Sequence, residues 1–166
     1  CGKSTILRMI AGLIAPTTGE ITLNGQPIKG PGPDIGMVFQ KPTLYPWLTV
    51  EDNISFSLRM QHKYKGREDE VNRMIEVIGL EKFKKDYPGQ LSGGMAQRVA
   101  LARAMINKPG ILLMDEPLGA LDAFTRMNMQ NEILDMWKLN KQLVVMVTHD
   151  LELMHKKMKI IILNNC

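Results

Sequence analysis

Two short runs, residues 111–114 (ILLM) and 143–147 (LVVMV), are apolar at every position and bounded by polar residues. A strand with one face in water alternates; a strand apolar throughout has both faces covered, which is the condition of a parallel sheet between layers of helices. Each run stops at a polar cluster, Asp115-Glu116 in one case and Thr148-His149-Asp150 in the other. The carboxyl ends of buried parallel strands are where open α/β sheets hold their ligands. The expected class is therefore α/β, a mostly parallel sheet flanked by helices. A chain of 166 residues, 45% apolar, suffices for one core of this kind.

The other elements follow from spacing. Residues 4–13 carry Ile6, Leu7, Ile10, Ala11 and Leu13 at helical intervals before Ala15-Pro16, which predicts a helix opening directly after Gly2, with Gly12 weakening its last turn. Residues 20–23 run into the turn pair Asn24-Gly25, and residues 35–39 follow the breakers of PGPD; both predict strands. Thr49 with Asp52 has the spacing of a capping box, and Val71, Met74, Ile75 and Ile78 recur on one helical face before Gly79. Two amphipathic helices are expected there, joined by the polar stretch 61–70 as a solvated connection. At Ser92 a Ser-Gly-Gly turn opens a helix rich in Ala, Arg and Val that ends before Pro109. Of the 13 methionines, Met74, Met105 and Met136 fall on apolar helical faces and read as core filler.

Several function classes are disfavoured. Twenty-one basic against 17 acidic residues leave a net charge of +4, scattered along the chain, so no nucleic-acid partner is implied. The longest apolar runs fall far short of the roughly 18 residues needed to span a bilayer, and nothing at the start resembles a signal peptide. The two cysteines, Cys1 and Cys166, have no spacing for a disulfide framework or a metal clip, which fits a reducing compartment. Opening on Cys and running straight into GKST, the chain reads as cut from something longer.

Three motifs carry chemistry. CGKST at the start is the last part of a phosphate-binding loop, GxxxxGK[ST], in which backbone N–H groups and a helix N-terminus surround phosphate oxygens. Lys3 would bring charge to the β and γ phosphates, Ser4 a hydroxyl to Mg²⁺, and Thr5 a donor near the α phosphate. Chance alone puts a GK[ST] triplet in roughly one chain of this length in ten, so its weight comes from its company. LSGGMAQR, residues 91–98, is a second serine and glycine turn at a helix start; it offers N–H groups to an anion, and Ser92 equally suits a plain helix cap. ILLMDEP places two adjacent carboxylates at a buried strand end, where Asp115 can hold Mg²⁺ and Glu116 can orient and deprotonate an attacking water. Gln40 ends the strand IGMVF and His149 follows the strand LVVMV; each gains meaning only as a member of one phosphate site, because lone Gln and His residues more often serve local hydrogen bonds. Trp47, in the Pro-flanked LYPWLTV, is a candidate interface anchor.

The order GKST, VFQ, LSGGMAQR, ILLMDEP, LGALD, THD resembles the ATP-binding subunits of ABC transporters over almost the entire chain. The six segments correspond to that family's Walker A, Q-loop, signature, Walker B, D-loop and H-loop. The resemblance implies a P-loop NTPase fold of the RecA type with an inserted helical subdomain, at about 41–107, that carries the signature. Residues 1–166 would form one nucleotide-binding domain lacking its N-terminal part.

By the same resemblance, two such domains stack head to tail with ATP between the GKST site of one and the LSGG turn of the other. Gly2, Lys3, Ser4, Thr5, Gln40, Asp115, Glu116 and His149 would act on one nucleotide, with Glu116, His149 and Gln40 catalytic and Ser4, Gln40 and Asp115 at Mg²⁺. Ser92, Gly93 and Gly94 would reach the partner's γ-phosphate, and Asp122 would fit the two halves together. Membrane-spanning permease subunits would dock near residues 41–48, with a substrate-binding protein as an indirect partner. The implied location is the cytoplasm, peripheral on the inner face of the membrane. The wording GPGPDIGMVFQKPTLYPWLTVEDNI and the signature LSGGM look most like the importers of nitrate, sulfonates and taurine. Two other expectations stand beside this one: an ABC ATPase without transport, and a non-catalytic docking piece. After His149 the sequence departs from the subgroup's usual wording, so the last strand is expected to be disturbed.

Overall fold

The computed structural model describes residues 2–119, 123–148 and 160–163. One parallel sheet organises them, with strands β3 (Ile35–Val38), β4 (Ile111–Asp115), β5 (Leu143–Val147) and β6 (Ile160–Leu163) side by side in that order. A separate antiparallel hairpin, β1 (Thr22–Leu23) and β2 (Gln26–Pro27), turns through Asn24 and Gly25 at φ 51° and 77°. These are the two left-handed positions that a tight two-residue hairpin requires. In the sheet, Val38 stands beside Met114, and Asp115 beside Val147.

Both faces of the central strands are covered, as their unbroken apolar runs demand. Ile111, Leu113, Val145 and Val147 face Leu7 and Ala11 of the first helix region, whereas Leu112, Met114, Val144 and Met146 join a larger core with helices on the other side. The alternation is the period of two imposed by the pleat. Helix α1 (Lys3–Ile10) lies on the first face. On the second lie α2 (Val50–Met60), α3 (Glu68–Val77) and α4 (Gly93–Met105), which all occur between β3 and β4, and α5 (Ala123–Asn140), which leads from β4 to β5. Among the described residues, no helix is long and apolar enough to cross a membrane.

Local chemistry explains the helix ends. Thr49 caps α2 by accepting from the Asp52 N–H at 3.2 Å, while its own hydroxyl donates to the Asp52 carboxylate at 2.7 Å. Gly12 does not weaken a turn within α1 but terminates the helix. Its N–H reaches the Met9 carbonyl at 3.0 Å, that of Leu13 reaches Arg8 at 2.9 Å, and its φ of 71° is the left-handed value on which such a cap depends. The polar stretch expected as a connection over 61–70 is shorter than that. Glu68, Asp69 and Glu70 form the first turn of α3, where carboxylates complement the N-terminal end of the helix dipole. The final strand pairs in parallel with β5 despite its unusual sequence, Ile160 standing beside Val144 and Leu163 beside Val147.

Two ion clusters bind the helical region together. Burial works to raise the pKa of Glu51, but Lys85 at 2.6 Å and Lys84 at 3.3 Å outweigh it and hold the carboxyl below its usual range. Glu70 accepts two hydrogen bonds from Arg67, at 3.1 and 2.8 Å, and one ion pair from Lys108 at 2.9 Å, linking the start of α3 to the segment after α4. These contacts lower its pKa from 4.5 to about 2. A carboxyl whose folded pKa is depressed contributes stability that is complete above its unfolded value and is lost as pH falls through the folded one. The urea midpoint is therefore expected to fall as the protein is acidified from pH 4.5 to about pH 2. Glu70→Gln should flatten that limb, partially because solvent screens a half-exposed group. An acid limb identical in the variant would show that Glu70 plays no part in it.

Candidate functional site

The residues singled out from the N-terminus and from β4 meet at the carboxyl edge of the sheet. Gly2 adopts φ 76° and begins α1 without a side-chain cap, so the N–H groups of the first helical turn point outward from the end of the helix. Packing of Leu7, which is fully buried, against Leu113 and Val145 places that turn over the ends of β4 and β5. The Ser4 hydroxyl consequently donates to Asp115 Oδ1 at 3.0 Å, joining residues 111 positions apart. Lys3 is half-buried in the same turn, and Thr5 is exposed.

Glu116 occupies a strained position. Its φ is 45°, a left-handed conformation that costs an ordinary residue roughly 1–2 kcal/mol. The neighbouring strand imposes it: the Glu116 N–H donates to the Val147 carbonyl at 2.8 Å, and the Glu116 carbonyl accepts from the Gly119 N–H at 3.1 Å. Strain of this kind at a carboxylate is a common mark of a working site. Gly119 leaves room for the side chain, since a Cβ there would stand 3.3 Å from Glu116 Oε2. Gln40, exposed just beyond β3, brings its Nε2 to 3.5 Å from the same oxygen, at the outer limit of hydrogen bonding. Four side chains from three separate segments, Ser4, Gln40, Asp115 and Glu116, thus converge.

The other sequence-derived positions are placed differently. Ser92 caps α4 by accepting from the Met95 N–H at 3.2 Å, and Ser92 and Gly93 face solvent. This is the plain helix cap, and it leaves the turn itself on the surface. Asp122 and His149 lie outside the described residues; β5 ends at Val147, beside Asp115, and buried Thr148 follows it.

Whether the site suits a divalent cation can be judged from its donors. Magnesium takes oxygen ligands at about 2.0–2.1 Å and usually keeps several waters and phosphate oxygens. A serine hydroxyl and a half-buried carboxylate already within hydrogen-bonding distance are two such oxygens side by side. The described residues contain no cluster of three or more His, Cys, Asp or Glu side chains that could hold a metal alone. The donors therefore fit a cation that shares its shell with a phosphate ligand and water, and do not form a closed protein cage.

The segment after Gln40 forms a second feature. Asn53, fully buried at the start of α2, donates from Nδ2 to the carbonyls of Tyr45, Leu48 and Thr49 and accepts from the Tyr45 N–H at 2.9 Å. One amide thus fixes the loop, and Tyr45 packs between Phe56 and Trp47 with ring centroids 4.5 and 5.6 Å away. Trp47 itself is 70% exposed. A large aromatic side chain held rigidly in solvent is the composition of an interface anchor.

Two participants escaped the sequence. Gly119 was legible only as part of LGALD. Gln97 is 2% exposed and donates from Nε2 to the Phe39 carbonyl at 3.3 Å. Its signal was present, because Gln97, Leu101 and Met105 share the buried face of α4 and a polar residue there requires a partner.

The chain is similar to several known proteins. The pattern of the ABC transporter family matches residues 1–119. The aliphatic sulfonates import ATP-binding protein SsuB of Bacillus cereus is 47% identical over 152 residues, covering 92% of this chain and 60% of that protein. The taurine import ATP-binding protein TauB of Roseobacter denitrificans is 47% identical over 153 residues, covering 92% and 57% respectively. Among solved structures, the dimeric post-hydrolysis state of the ATP-binding cassette MJ0796 bound to ADP and Pi superposes with a TM-score of 0.76 at 36% identity, covering 92% of this chain and 72% of that one. The chain spans about 60% of the length of the curated relatives it matches.

Proposed function

Because the chain belongs to the ABC transporter family and has its P-loop α/β fold, we propose that the protein containing it is the ATP-hydrolysing subunit of an importer of a small anion. The observation that carries the ATP-hydrolysing part of this reading is the Ser4–Asp115 contact at 3.0 Å, which unites the phosphate-loop helix with the acidic strand end. Gly2, Lys3, Ser4 and Thr5 bind the phosphates through the first turn of α1, and Lys3 supplies the positive charge. Ser4 and Asp115 would hold Mg²⁺, with Gln40 beside them, and the ion when bound would neutralise phosphate charge.

Glu116 accepts a proton from water as the water oxygen bonds to the γ-phosphorus; the bond from that phosphorus to the β–γ bridging oxygen breaks, and ADP and phosphate result. Gln40 and His149 orient the water and the γ-phosphate. Residues of about 41–107 form the helical subdomain, which presents Ser92, Gly93 and Gly94 to a nucleotide bound by a second subunit, with Asp122 at the same junction. Solvent exposure of Ser92 and Gly93 supports that role, as does the dimeric state of the similar MJ0796 cassette.

The relatives' names support import of aliphatic sulfonates or taurine, each of which carries a sulfonate group with a single negative charge, as nitrate does. Permease subunits dock on the loop of Trp47, placing the protein on the cytoplasmic face of the membrane, and a substrate-binding protein delivers the anion from the other side. The test is Mg²⁺-dependent ATP turnover by the full-length protein with its permease and substrate-binding protein in proteoliposomes, stimulated by taurine or an alkanesulfonate. Lys3→Ala should weaken ATP binding by about 10- to 100-fold, the equivalent of one charged hydrogen bond of roughly 1.5–3 kcal/mol. Nucleotide binding that ignores Lys3 would overturn the assignment of the phosphate site.

A further inference from the structure

The loop that carries Gln40 is tied to α4 at two points. At one end, buried Gln97 donates to the carbonyl of Phe39 at 3.3 Å, holding the peptide unit from which Gln40 departs. Beyond Gln40, Arg103 donates to Thr43 Oγ1 at 3.3 Å and lays its guanidinium 5.3 Å from the centre of the Tyr45 ring. Helix α4 is in turn pressed onto β3: a Cβ on Gly36 would stand 2.8 Å from the Ala104 carbonyl oxygen and 3.1 Å from Pro109. Strand, loop and helix therefore hold one geometry. The side chain of Gln40 is exposed and meets Glu116 only at 3.5 Å, so the position of its amide depends on where its backbone is held. A buried carboxamide without a partner would be costly, and the Phe39 carbonyl is the partner this one has taken.

We infer that Gln97 is a positioning residue for hydrolysis: by holding the Phe39 carbonyl it aims Gln40 at Glu116. This rests on the ATPase reading above. It also makes α4, which begins at the Ser92-Gly93-Gly94 turn, the mount for a residue of the chain's own nucleotide site.

The test uses the full-length protein and three changes. Gln97→Met keeps the volume and removes the donor; a misaimed Gln40 should lower kcat by about 10- to 100-fold, the scale of a small misplacement, with the KM for ATP little changed. Adding Gln97→Met to Gln40→Ala should cost nothing more, because both remove the same interaction. Hydrogen exchange of the amides from Phe39 to Lys41 should quicken in Gln97→Met. Gln97→Glu covers the case in which methionine upsets folding. Burial raises the pKa of the new carboxyl, and its protonated form can donate to Phe39, so its kcat relative to wild type should rise as the pH is lowered.

Multiplicative losses in the double variant, a pH-independent ratio for Gln97→Glu, or unchanged exchange at residues 39–41 would each overturn the inference. A wild-type protein that binds Mg·ATP but does not hydrolyse it overturns the functional reading as well, whereas the exchange measurement judges the tether on its own.

Discussion

Glu116→Gln is expected to leave Mg·ATP bound and to slow its turnover by about 10²–10⁴-fold, the range for removing a general base. That corresponds to about 3–5 kcal/mol of barrier. The exchange is isosteric, so the left-handed backbone at Glu116, its bond to Val147 and the space over Gly119 are all retained. The amide oxygen can still accept from Gln40, but it cannot take a proton from water at any ordinary pH. Equilibrium binding of a fluorescent nucleotide together with phosphate release, both on the full-length protein in its membrane assembly, separates the two effects. Turnover equal to wild type would reassign the base; loss of binding would make Glu116 a structural residue.

Gly12→Ala should be the most damaging small substitution, lowering stability by about 2–5 kcal/mol. Two costs add. The left-handed backbone at φ 71° charges a residue with a Cβ roughly 1–2 kcal/mol. The Cβ would then lie 2.5 Å from the carbonyl carbon of Gly30 and 2.6 Å from its oxygen, an overpacking against backbone worth about 1–3 kcal/mol more. Backbone cannot rotate away as a side chain can, so the end of α1 or the segment at Gly30 must move. Gly19 separates the two terms: its φ is 76°, yet a Cβ there meets nothing within 4 Å, so Gly19→Ala should cost only the conformational part. Urea midpoints for the two variants provide the comparison, and equal losses would refute the steric half of the argument. The damage should also reach function, because α1 is the helix that carries Ser4 to Asp115.

Much of this was written in local pattern. The unbroken runs of β4 and β5 required helices on both faces, and the structure supplies α1 on one and the helices around α4 on the other. Thr49, Ser92 and Gly79 marked helix boundaries because caps and left-handed glycines act over a few residues. Helix α5 was not delimited from its sequence. Its buried residues Met129, Ile133 and Met136 stand at i, i+4 and i+7 on one face, but Met127 and Leu134 put apolar side chains off that face and blur the period, so its place follows from the strands it joins. The connection after α2 is shorter than 61–70, since acidic residues that look solvated also favour the first turn of a helix.

Sequence alone determined which groups this protein has available: an ammonium, hydroxyls, carboxylates and amides, each placed at the end of an element whose type was readable from periodicity and capping. Only the tertiary structure decided that Ser4 meets Asp115, that Gln40 approaches Glu116 within 3.5 Å, and that Gln97 holds the loop between them. The reason is physical. Secondary structure answers to neighbours a few positions apart, whereas these contacts join residues 58 to 111 positions apart. Their approach is set by the packing of Leu7, Leu113 and Val145 and by the pressure of α4 on Gly36, which no local signal encodes.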